Sequence, residues 1–168
     1  MDIGELAEIK KDQISKKAET LNAIETHFLV EKLAEKDDKL RYNAFLLLQA
    51  QSQLAPSVYA HWDTLAAKLD SDNSYQRSLG VMLLAENIRW DSEGKFSQVI
   101  DKFLACCSDE KFITARQTLQ SLTKVVMATN AYNQMISAHV AALDLSKYKE
   151  NQQSLLKKDI AALLKKLT

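Results

Sequence analysis

Three histidines and two cysteines are the side chains best suited to metal binding or nucleophilic chemistry, and their spacing argues against both. His27, His61 and His139 lie far apart, and none has a second soft ligand four residues away on a helix face, the spacing a helical metal site needs. His61, Trp62 and Asp63 are consecutive, so on a helix they point in different directions and cannot act as a triad. Cys106 and Cys107 adjoin each other in an apolar stretch, where they read as small buried hydrophobes in a reducing compartment. No glycine-rich phosphate loop and no nucleophile elbow occurs. The expectation is no catalytic residue, no cofactor and no metal.

Charge restricts the binding partners. Twenty-two lysines and arginines balance twenty-two aspartates and glutamates, so no net field favours nucleic acid or an anionic membrane. Lysines concentrate toward the ends, at Lys10, Lys11, Lys16 and Lys17, then at Lys147, Lys149, Lys157, Lys158, Lys165 and Lys166. On the last helix they fit the polar outer face a terminal helix requires. Without an apolar run of membrane length or a leader pattern, the expected location is cytoplasmic and the expected state a monomer.

Helices must position whatever function exists. Glycine occurs three times and proline once in 168 residues, too few for the turns of a many-stranded sheet, and 46% of residues are hydrophobic. Apolar residues recur at helical spacing between polar clusters and mark about nine helices. The first spans about residues 2–17. Asn22 and Glu25 form a capping box for the second, which carries Ile24, Phe28, Leu29 and Leu33. Further helices begin after Asp38, at Pro56, at Tyr75, at Phe96, at Phe112, at Asn130 and after Tyr148, with Trp62 in the core of the fourth.

The helices repeat in pairs. A shift of 36 residues lays Leu29 on Leu65, Leu33 on Leu69, Asp37 on Asn73, Arg41 on Arg77, Ala44 on Gly80 and Leu47 on Leu83. A further shift of 39 lays Arg77 on Arg116 and Leu83 on Leu122, in a looser copy. Two helices per unit at this period mark a helical solenoid. An inward leucine pair, an acidic turn, then an arginine three residues before a small residue resembles the HEAT repeats of the armadillo-type class. The best copy is Leu65, Leu69, Asp72, Arg77 and Gly80, preceded by Leu29, Leu33, Asp38, Arg41 and Ala44.

The resemblance, which over Asp109 to Leu122 extends to segments of small bacterial HEAT-repeat proteins, implies an all-α fold, a right-handed α-α superhelix of antiparallel helix pairs. One domain is expected over 1–168, with 1–21 an N-terminal capping helix, 22–143 the repeats and 144–168 a C-terminal capping helix. The resemblance also implies a ladder of Asp38, Asp72 and Asp109 with Arg41, Arg77 and Arg116. It further implies a concave surface lined by second helices that binds another protein without catalysis. Tyr42, Tyr75, Gln76, Arg77, Trp90, Arg116 and Gln120 are the candidate contact residues, with Gln49, Asn87 and Gln117 beside them. The alternative is a HEAT-like DNA-binding protein or alkylpurine-type DNA glycosylase, which the balanced charge between Leu40 and Leu143 disfavours.

Overall fold

In the computed structural model, which describes residues 1–167, ten α-helices and no strand are present among the described residues. They are α1 (Ile3–Glu8), α2 (Ile14–Ala18), α3 (Ala23–Lys32), α4 (Asp38–Leu54), α5 (Trp62–Ala67), α6 (Ser74–Asn87), α7 (Ile100–Ala105), α8 (Phe112–Ala128), α9 (Asn133–Ala141) and α10 (Glu150–Leu167). The all-α expectation holds. None of these helices is long and apolar enough to cross a membrane. The chain gathers into two compact units, Met1–Leu65 and Ala66–Thr168.

In the first unit α1, α2 and α3 pack on α4. Leu6, Leu29, Leu33, Leu47 and Leu48 are fully buried, each such side chain worth about 1.5–3 kcal/mol of transfer free energy. Two buried amides are matched to partners: Asn43 donates to the Leu6 carbonyl at 2.9 Å, and Gln51 bonds the Thr26 hydroxyl. The single helix expected over 2–17 is instead broken. Ile9 and Lys10 adopt extended backbone, and the Lys10 amide donates to Gln13 Oε1, which starts a 3₁₀ turn leading into α2. The capping box forms as expected: Asn22 Oδ1 accepts from the Ile24 and Glu25 amides, and Glu25 Oε2 accepts from the Asn22 amide. Ile24 faces solvent rather than the core, at 82% exposure.

In the second unit α8 lies between α6 and α10, packing on both. Ser78 bonds Thr114, Lys124 bonds Glu86, and Tyr148 bonds the Asp109 carbonyl, at sequence separations of 36, 38 and 39. A nearly constant separation means that α6, α8 and α10 run parallel, each reached through an intervening shorter element. The 36- to 39-residue period is therefore spatial within this unit. Phe96 and Phe103 are fully buried in this unit and meet edge to face at a centroid distance of 5.2 Å.

Several boundaries depart from the sequence pattern because apolar spacing does not separate 3₁₀ from α geometry. The helices expected at Pro56 and Phe96 are composites, each a 3₁₀ turn (Tyr59–His61, Lys95–Gln98) followed by one to two turns of α-helix. Asn130 does not cap the helix after it: the helix starts at Asn133, and Asn130 only accepts from the Asn133 amide in the preceding turn.

Candidate interaction surface

Arginine placement shows how the second helices are anchored. Arg41 Nη1 donates to the Glu35 carbonyl and Arg77 Nη1 to the Ser71 carbonyl, each six residues upstream. Asp37 and Asn73, paired by the 36-residue shift, both cap a second helix through their side chains. The two copies thus share local chemistry as well as pattern.

The expected ladder forms at one rung. Arg77 donates from Nε and Nη2 to both oxygens of Asp109 at 2.7 and 3.0 Å, joining the turn before α8 to α6. Burial works to raise the Asp109 carboxyl, but the Arg77 fork and the Lys111 amide hold it below the usual carboxylate range. The other rungs differ. Asp38 pairs with Arg41 of its own copy, Asp72 is exposed and forms no ion pair among the described residues, and Arg116 turns to Asp159 on α10 at 3.0 Å. The drift in Asp-to-Arg spacing explains this, because Arg116 starts farther along its helix than Arg77 does.

The candidate contact residues divide accordingly. Arg77 is mostly buried in its fork with Asp109, so its role is structural. Asn87 is fully buried and donates to the Leu83 carbonyl, which removes it from any surface. Gln76 accepts from Lys68, Gln117 and Trp90 are half-buried, and Gln49 belongs to the first unit. Tyr42, also in the first unit, is exposed with the Lys11 ammonium 5.8 Å from its ring centre. Tyr75, Arg116 and Gln120 remain on the outer side of the second unit, Gln120 reaching Asp159 at 3.4 Å.

Exposure adds Ile113 and Met127, which the sequence pattern passed over, to the candidates Arg116 and Gln120. Ile113, Arg116, Gln120, Lys124 and Met127 recur at helical intervals and form one stripe along α8. Ile113 and Met127 are 58% and 72% exposed, although both lie in a helix that buries Ala115, Leu119, Leu122 and Val125. On α6 and the turn after it, Tyr75, Met82, Glu86 and Arg89 repeat the stripe with the same spacing. The two stripes meet where Lys124 bonds Glu86, and Arg89 approaches the other Glu86 oxygen at 3.7 Å. Only the Glu86 side chain is submerged, at 1% exposure, while Lys124 and Arg89 stay 42% and 43% exposed above it. The signal available in sequence was that α8 has no acidic residue in its 17 positions.

No family model, no curated protein and no solved structure matches this chain.

Elsewhere the reactive side chains are quiet. Burial raises the Cys106 and Cys107 thiols to about 11 and about 12, so neither carries thiolate near neutrality. His27 and His61 face each other at 5.6 Å, and no group of three or more metal-ligating side chains occurs among the described residues. An open cleft of about 460 Å³ in the first unit is lined by Glu5, Glu8, Ile9, Gln13, Lys16, Lys17 and Thr20. Of its lining charges, Lys17 pairs with Glu5 at 3.1 Å and also with Glu25, outside the lining, at 3.4 Å.

Proposed function

We propose that this chain is a non-enzymatic binding module of the HEAT-like repeat type, and that the outer side of α6, α8 and α10 receives a protein partner. The observation that carries the reading is the exposed stripe of α8, where Ile113 and Met127 stand in water on the central helix of the row. Isolated apolar side chains on a surface are ordinary, but two on one stripe flanking polar Gln120 and Lys124 make a recognisable contact strip. Parallel neighbours bonded at sequence separations of 36 to 43 support the repeat reading.

A photo-crosslinking side chain placed at Gln120, with Asp101 on α7 as the control position, tests the assignment in the full-length chain. The expected result is one dominant protein adduct from position 120 and none from 101. Equal adducts from both positions, or none from either, sink it.

One observation favours nucleic acid as the second reading. Helices α6, α8 and α10 with the turn Ile88–Trp90 hold eight lysines and arginines against three acidic residues. Zero net charge therefore hides a local excess that could contact phosphates. Four of the eight are the lysines of α10, however, and exposed Ile113 and Met127 suit a protein better than a phosphate backbone. Affinity for duplex DNA that falls steeply with salt would reverse the ranking.

A further inference from the structure

We infer that the segment this surface receives is acidic and amphipathic, placing carboxylates on Lys124 and Arg89 and apolar side chains on Met127 and Ile113. The inference rests on the binding-module reading and deepens it by giving the partner's chemistry.

The two charged layers of the surface have opposite sign. Glu86 and Asp159 lie beneath, 1% and 11% exposed, each already engaged by a cation of α8. Lys124, Arg89 and Arg116 lie above them and reach solvent. Around Glu86 two cations share one carboxylate, which leaves an excess positive charge at the surface. Its buried carboxylate fixes the cations in place, so an incoming anion meets preorganised donors. A basic segment would find both carboxylates, Glu86 and Asp159, already covered by cations, and would desolvate its own charges without partners. Glu150, the remaining acidic residue of α10, lies nine residues from Asp159 and so on the opposite side of that helix.

Apolar spacing sets the second half of the match. Met127 follows Lys124 by three positions and Ile113 precedes it by eleven, on one stripe about four turns long. A partner helix or extended segment with apolar side chains at both ends and acidic residues between them fits that order. Charge divides on the larger scale too: Ala66–Thr168 has fourteen lysines and arginines against eleven acidic residues, and Met1–Leu65 has eight against eleven.

The test uses two synthetic helical peptides with the same leucine spacing, one with glutamate and one with lysine at the intervening positions. Each is titrated into the full-length chain with amide chemical-shift mapping. The glutamate peptide should shift the amides of α8 and the end of α6, and its affinity should fall at least about tenfold in the Lys124→Gln, Arg89→Gln double variant. The lysine peptide should bind at least about tenfold more weakly than the glutamate peptide. Because removing both cations takes two positive charges from beside buried Glu86, Lys124→Arg serves as the folded control and should retain binding. Equal binding of both peptides, shifts confined to other elements, or unchanged affinity in the neutralised variant overturns the inference. If the crosslink at position 120 persists while charge neutralisation leaves it unchanged and Met127→Asp removes it, the surface stands and the acidic partner falls. Loss of the crosslink assignment itself removes both. Self-association on dilution-dependent light scattering, with the negative first unit of another copy as occupant, also overturns it.

Discussion

Replacing Asp109 by asparagine tests a largely buried ion pair at the residue scale. The change leaves the Arg77 guanidinium with a weakened partner in a largely water-free site, and should cost about 3 kcal/mol of stability at neutral pH. Because the folded carboxyl titrates below its unfolded value of 3.8, its contribution is present above that value and disappears as pH falls through the lower folded one. Urea midpoints of wild type and variant should therefore converge in strong acid and separate as pH rises. His61 has the same sign: burial first, then the neighbouring His27 ring, lowers it below 6.5, so stability falls as pH drops below that value. A His61→Gln variant should show a flatter melting profile between neutral and mildly acidic pH. The cysteines supply a third outcome. With both thiols raised to about 11 and about 12, thiol reagents at mildly alkaline pH should label the native protein slowly and label both residues promptly once it is denatured.

Element-scale stability depends on caps and on one left-handed residue. Asn22 Oδ1 accepts two amides at the start of α3, so Asn22→Ala should lose about 1 kcal/mol, measurable by chemical denaturation. Its box partner Glu25 is held at about 2, first by the Asn22 amide and then by the Met1 ammonium, so the box survives mild acid. Gly94 has φ +67° and open space where a Cβ would stand. Gly94→Ala should therefore cost about 1 kcal/mol through backbone strain alone, and Gly94→Asn less, since asparagine tolerates this region. That the chain breaks between the helices expected at Tyr75 and at Phe96, where Gly94 lies, was legible in sequence. The organiser of that break was not, because Asp91 bonds the Lys95 and Phe96 amides through a turn that hydrophobic period does not encode.

For the whole molecule the informative quantity is charge distribution rather than total charge. The protein should be retained on a cation-exchange resin near neutral pH despite its formal zero, because seven basic residues that reach solvent lie on α8, α10 and the turn after α6. Elution in the flow-through would contradict that picture. All-helical architecture, the Asn22–Glu25 cap, buried Trp62 and the 36-residue pairing of Asp37 with Asn73 and Arg41 with Arg77 were set by local sequence, since helical period, capping and turn chemistry act over a few residues. Tertiary structure decided the rest. Which stripe of α8 faces water, that Arg77 is consumed by Asp109 while Arg116 reaches Asp159, and that Glu86 sinks beneath Lys124 depend on neighbours 32 to 43 residues away. A helix with apolar residues on more than one face does not reveal, from its own spacing, which face a partner helix will cover.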